Sequence, residues 1–277
     1  MANINPTQSE KAKLFKSLHE RPGCFVIPNP WDAGTAKILA TMGYEALATT
    51  SAGLAFSLGQ PDGGNITLQQ VLANAKEITS ATNLPVSCDL ENGYSHLLDG
   101  IAQTIKLAAE AGLVAGSIED ASGDASNPIY EIDEAADRLR AAVEAADALS
   151  FPFIVTGRAE NYLHGKPDLK DTIKRLQRFQ EAGAHVLFAP GLKTKQEITT
   201  VLSEIDRPLN VIMGIAGFEP TIAELATMGV KRISVGSALS RAAFGAFINA
   251  AKEIKEQGTF QFAANAVAYK DLNMMFG

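Results

Sequence analysis

Little in this 277-residue chain is basic, sulfur-bearing or continuously apolar, and each shortage removes a class of function. Lys and Arg number 24 against 31 Asp and Glu, for a formal net charge of −7. No run of basic residues occurs, so neither nucleic acid nor an anionic membrane surface meets the patch it needs. Any attraction for an anionic substrate must therefore be local, from a metal or a few arginines. The only cysteines, Cys24 and Cys88, lie in apolar strand-like runs. They are expected to be buried free thiols in a reducing compartment, which excludes a disulfide scaffold. No stretch of about 20 uninterrupted apolar residues is present, and the opening MANINPTQSEKAKLF lacks the apolar centre of a signal peptide. The expectation is a soluble, cytoplasmic protein.

What is there is a chain rich enough in apolar residues, 46%, to bury a sizeable core. Leu14, Phe15 and Leu18 fall at helical spacing within residues 7 to 20, predicting a helix across one end of the fold. A unit then recurs. Four segments end in related tetrads, ATMG (Ala40 to Gly43), AEAG (Ala109 to Gly112), QEAG (Gln180 to Gly183) and ATMG (Ala226 to Gly229), each followed at once by apolar residues. Glycine adopts the left-handed helix cap cheaply, so each tetrad marks a helix-to-strand turn.

On that period the strands are Phe25 to Pro28, Ala46 to Thr49, Val86 to Leu90, Gly116 to Glu119, Phe153 to Thr156, Val186 to Phe188, Asn210 to Met213 and Ile233 to Val235. Helices of roughly 32–42, 66–80, 98–111, 131–148, 168–182, 194–204, 219–228 and 238–257 alternate with them. The pattern predicts an α/β protein, a (β/α)₈ TIM barrel. A doubly wound sheet is the alternative, but no G-x-G-x-x-G follows the first strand. No linker divides the chain, which is read as one domain, 1–277, with an N-terminal helix in 1–21 and a C-terminal extension in 258–277. The extension, with Phe262, Tyr269, Met274 and Phe276, is too apolar for a free tail. It packs on a second subunit or docks on its own chain.

In such barrels the chemistry sits at the carboxyl ends of the strands. There the third strand runs into Asp89 and Glu91, which period two sends to one side if the strand continues through Leu90. The fourth runs into Glu119 and Asp120, and the fifth into Arg158 and Glu160. Carboxylate oxygens without nitrogen or sulfur suit a hard cation such as Mg²⁺ better than zinc. The competing reading is that these acids cap helices or line a solvated rim. Cys88 reads as a core residue, and His96 and His164 as loop histidines or proton shuttles. Tyr94 either donates to substrate or packs at the turn.

The run PNPWDAGTAKILATMGYEALATTSAGLAFSLGQPDGG, with CDLENGY, SIED, TGRAENYLHG and RISVGSALSRAAFGAF, resembles the isocitrate lyase and phosphoenolpyruvate mutase superfamily. The resemblance spans about residues 22 to 250. It implies a barrel enzyme, dimeric or tetrameric with a C-terminal helix exchanged between subunits, that works on C–C or P–C bonds next to a 2-oxo or 2-hydroxy acid through a Mg²⁺-stabilised enolate, with Mn²⁺ possible as the cation. By matching motifs, Asp89, Glu91 and Glu119 are implied as metal residues. Asp62 and Arg158 are implied as catalytic, and Thr50, Ser51, Ala52, Arg158 and Asn210 as substrate-binding.

Two departures bear on the reaction. Glu91 stands where the family motif D-x-D-T-G-Y has its second aspartate, and the loop from Glu119 to Tyr130 lacks the K-[KR]-C-G-H of isocitrate and methylisocitrate lyases. Between Glu119 and Arg138 there is no lysine, arginine or histidine, and only Asn127 remains to meet a phosphonate. The expectation is cleavage of a C–C bond in a small anionic carboxylic acid, by a lyase or by a hydrolase or decarboxylase of an oxaloacetate-like acid. The alternatives are a phosphonopyruvate mutase or hydrolase, and a metal-binding barrel without catalysis.

Overall fold

The computed structural model describes residues 5–63 and 66–276. Thr7 and Glu10 cap each other reciprocally to open α1 (Gln8–Glu20). There follow β1 (Phe25–Ile27), α2 (Ala33–Thr41), β2 (Leu47–Ala48), α3 (Ser51–Ser57), α4 (Leu68–Ala81), β3 (Val86–Asp89), α5 (Leu98–Glu110) and β4 (Ala115–Glu119). The second half repeats the rhythm with α6 (Ile132–Asp147), β5 (Ile154–Arg158), α7 (Leu169–Glu181), β6 (Val186–Phe188), α8 (Lys195–Ser203), β7 (Leu209–Ile212), α9 (Ile222–Met228), β8 (Arg232–Ser234) and α10 (Ala238–Gln257). A 3₁₀ turn (Gln261–Asn265) leads to α11 (Tyr269–Phe276). The tetrad glycines Gly43, Gly112, Gly183 and Gly229 have φ of +84°, +88°, +99° and +100°, the left-handed caps their positions require.

The eight strands are all parallel and run in the order β1-β8-β7-β6-β5-β4-β3-β2. The sheet curls into a nearly closed (β/α)₈ barrel, with β1 and β2 meeting at the seam. There Ala48 donates its N–H to the Pro28 carbonyl at 3.1 Å. Asn29 bolts the seam from above: its Nδ2 donates to the Thr49 carbonyl at 2.9 Å, and its Oδ1 accepts the N–H groups of Val235 and Gly236.

Two apolar bodies hold the layers. One lies between sheet and helices, and the other fills the amino-terminal end of the barrel, where Ala12, Phe15 and Leu18 of α1 pack on Phe25, Ile27, Ala46, Ala115, Ile154 and Val186. Above that plug the inward positions turn polar, with Ser87, Ser117, Thr156, Asn210, Arg232 and Ser234 where barrels usually place branched aliphatics. The polar layer is the base of the site.

Two expectations need correction. Cys24 is only partly buried, because it precedes β1 at the barrel rim; Cys88 is buried, and both thiols are free. The segment after β2 is a short helix, α3, where the sequence pattern placed no helix. Within the chain α11 lies against α2, with the Phe276 ring 3.9 Å from where a side chain on Gly34 would begin. Phe247 on α10, and Phe260, Tyr269 and Met274 beyond it, remain exposed. Among the described residues no helix is long and apolar enough to cross a membrane.

Candidate active site

Strand β3 stops at Asp89, and the chain then turns through Glu91 (φ +45°), Gly93 (φ +83°) and Tyr94 (φ +55°). Glu91 is therefore presented by a left-handed turn and not by the strand pleat. A non-glycine residue in that region costs on the order of 1–3 kcal/mol, and persists only where its surroundings hold it. Here the Glu91 carbonyl accepts the Glu119 N–H at 2.9 Å, stitching the turn to β4. Arg138, buried on α6, donates to the carbonyls of Asn92 and Ser95 at 2.7 Å each and of His96 at 3.2 Å, with its guanidinium 4.1 Å from the Tyr130 ring centroid.

Asp89 is held from one side by Ser51, whose hydroxyl donates to Oδ2 at 2.8 Å, and faces Arg158 on the other, with Nη1 at 3.4 Å from Oδ1. The same Nη1 lies 3.1 Å from Glu119, and Nε donates to Glu160 at 2.5 Å. Arg158 thus stands inside the acid cluster. Burial would lower its pKa, but the charges of Glu119, Glu160 and Asp89 raise it.

The carboxylates around it are short of positive charge. Burial, then the Asp89 charge, lifts Glu91 to about 7. Burial lifts Glu119 well above the usual carboxylate range, with Arg158 opposing. Asp62 is exposed on its loop, yet its carboxyl lines the cavity, where the surrounding protein and Asp89 raise its pKa. Asp120 has a different task. It accepts the Glu160 N–H at 2.7 Å and pairs with Arg175 at 2.9 Å, which fixes the backbone carrying Glu160.

At the carboxyl ends of the strands lies a cavity of about 230 Å³, small beside the ~300–1,000 Å³ of drug-sized pockets. Asp62, Asp89, Arg158, Asn210 and the Thr50-Ser51-Ala52 segment all line it; Glu91 and Glu119 do not. As placed, no three His, Cys, Asp or Glu side chains among the described residues converge on one ion position. The donor chemistry nevertheless fits Mg²⁺, which takes oxygen ligands and needs only one or two protein carboxylates beside water and substrate.

Of the other candidates, Cys88 lines the cavity and Tyr94 stands beside Glu91, while His96, His164 and Asn127 fall outside. His96 Nδ1 bonds the Tyr130 hydroxyl at 2.7 Å, and His164 lies 3.9 Å from Glu160. Asn127 is exposed on its loop, away from the cavity wall. Burial pushes the Cys88 thiol up to about 12, and the Tyr94 hydroxyl is buried without a partner. Sequence reading missed Arg138, Arg175 and Arg232. Arg232 carried a signal, since alternation along Arg232-Ile233-Ser234 points it inward with Ser234.

Comparison with known proteins adds the family. A family model described as phosphoenolpyruvate phosphomutase matches residues 15–255. A solved structure from Burkholderia cenocepacia J2315, classed only as a lyase or mutase, is similar with a TM-score of 0.95 and 54% identity, over 98% of this chain and 96% of its own. The 2-methylisocitrate lyase of Halalkalibacterium halodurans is 28% identical over 91% of this chain and 85% of its own. The oxaloacetate decarboxylase of Chromohalobacter salexigens is 27% identical over 95% and 92%.

Proposed function

Because this chain belongs to the phosphoenolpyruvate phosphomutase family, whose relatives here are carbon–carbon lyases and mutases, we propose that it cleaves a C–C bond in a small 2-oxo or 2-hydroxy carboxylic acid. The observation that carries this reading is the pairing of Asp89 with Arg158 on the wall of a cavity sized for a small acid. Asp89, Glu91 and Glu119 would hold Mg²⁺, or Mn²⁺ in its place, one or two of them directly and the rest through water, and the bound ion would supply Lewis-acid polarisation of the substrate's oxygens.

The chain's own groups do the rest. Arg158, anchored by Glu160 and lying 5.4 Å from the Phe188 ring centroid, turns its remaining donors to the substrate carboxylate as a planar fork. Ser51 holds Asp89 in place, and the backbone of Thr50, Ser51 and Ala52 forms the adjoining carboxylate wall, with Asn210 below. Asp62, with its raised pKa, takes a proton or orients a water.

The loop from Ala121 to Tyr130 favours a carboxylate over a phosphonate. It carries no cysteine to serve as the acid in a lyase of the isocitrate type, and no cation to meet a trianion. Hydrolysis or decarboxylation of an oxaloacetate-like acid needs neither. The exposed apolar side chains of α10 and α11 support a homodimer or homotetramer.

Calorimetry with Mg²⁺ and oxalate, a mimic of the pyruvate enolate, tests the site. The two should bind together, and Asp89→Ala should abolish joint binding. Oxalate binding that is equally tight in EDTA would contradict the reading.

A further inference from the structure

The floor of the cavity holds a cation without a counter-charge. Arg232, the first residue of β8, is 5% exposed. Its Nε donates to Asn210 Oδ1 at 2.8 Å and its Nη2 to Thr156 Oγ1 at 3.0 Å, while Nη1 has no partner. Asn210 is itself fixed by donating to Ser234 Oγ at 2.9 Å. These acceptors are neutral, and none of the ion pairs among the described residues includes Arg232. Burial alone pulls its pKa down to about 9, so the guanidinium keeps its charge at neutral pH.

Buried charges in proteins are paired, because leaving water without compensation is costly. Packing does not explain this one, since an aliphatic side chain fills the same interior position in most barrels. The location does. Arg232 lines the same cavity as Arg158 and Asp89, among the small polar residues Ser87, Ser117 and Ser234. Of the two arginines lining it, Arg158 is shared by three carboxylates and Arg232 by none.

We propose that Arg232, held by Asn210 and Thr156, forms an anion subsite at the cavity floor that receives the second carboxylate of a dicarboxylic substrate. One acid end lies at Arg158 and the cluster at the mouth, the other at Arg232 below. The subsite deepens the function proposed above and rests on it for the identity of the substrate. It selects dicarboxylic over monocarboxylic acids by leaving a buried charge unpaired when the second acid group is missing.

The test compares L-malate with lactate, two 2-hydroxy acids that differ by one carboxylate, binding to the Mg²⁺-loaded protein by calorimetry. Wild type should prefer malate by at least about tenfold. R232M should lose that preference, its malate affinity falling to that of lactate, and R232K should retain part of it. Melting in EDTA guards against unfolding: R232M should be at least as stable as wild type, and malate should raise the melting temperature of wild type only. A malate preference that survives in R232M, or equal affinity of wild type for both acids, would overturn the proposal even where turnover is intact. Chloride matching malate in its effect on wild-type melting would assign the subsite to an inorganic anion and overturn the substrate claim. Turnover is not read, so failure of C–C cleavage does not decide the outcome.

Discussion

Arg158 shares one guanidinium among Asp89, Glu119 and Glu160, so it competes with any metal for the first two. Removing it relieves that competition and also deletes the carboxylate fork. Arg158→Met is therefore expected to bind Mg²⁺ at least as tightly as wild type while losing on the order of 100-fold in oxalate affinity, about 2.7 kcal/mol; loss of Mg²⁺ binding by calorimetry would contradict this. His19 makes a second prediction at the other end of the barrel. Its Nδ1 bonds the Phe15 carbonyl at 2.9 Å, Nε2 has no partner, and Phe15 and Phe25 pack edge-on to its ring. Burial, and then the Arg232 charge, holds its pKa at about 3. Below the ordinary value near 6.5 the unfolded chain takes up a proton that the folded chain refuses, so this contribution is intact above pH 6.5 and is lost as pH falls towards 3. Asp120, raised to about 6, acts in the opposite sense over part of that range, so the comparison must be with a variant. Urea titrations of wild type and His19→Phe should differ in slope by up to about 1.4 kcal/mol per pH unit between pH 6 and 4, and not at all above pH 7; parallel curves throughout would contradict it.

At the scale of elements, α6 controls the turn that carries Glu91. Arg138 satisfies three carbonyls of the segment from Asn92 to His96, and without it those groups lose their donors in a partly buried place. Arg138→Leu should speed amide exchange in residues 90–97 at least tenfold and weaken Mg²⁺ binding, with exchange in β5 unchanged. Uniform exchange across both segments would show a global effect instead. The strands and most helices were legible because glycine caps and apolar runs are local signals, read correctly at Gly43, Gly112, Gly183 and Gly229. Helix α3 was not, since a seven-residue helix starting straight after a strand shows neither period nor break. The placement of Glu91 was also illegible, because left-handed backbone at a glutamate depends on β4 and Arg138, both distant in sequence. The acids of the site were visible as residue types at strand ends. That Arg158 pairs with three carboxylates at once, and that Arg232 lies unpaired beneath, follows only from the barrel's closure.

For the whole molecule, a chain of net charge −7 holds two cations, Arg158 and Arg232, in the lining of the cavity at the strand ends. Attraction of an anion is local, as the net charge of −7 requires. The exposed apolar residues of α10 and α11 belong to the same scale. Phe247 is 69% exposed, and sedimentation should show a dimer or tetramer that Phe247→Glu converts towards monomer. A monomeric wild type would remove the subunit contact from the account. The central claim, metal-dependent cleavage of a carboxylic acid, is tested most directly by product NMR on a panel of oxaloacetate, 2-methylisocitrate, isocitrate, dimethylmalate and phosphonopyruvate with Mg²⁺, run beside Asp89→Ala. The account predicts turnover of at least one of the carboxylic acids, lost in EDTA and reduced at least 100-fold in the variant. Turnover of phosphonopyruvate alone, or cleavage that persists in Asp89→Ala, would contradict it.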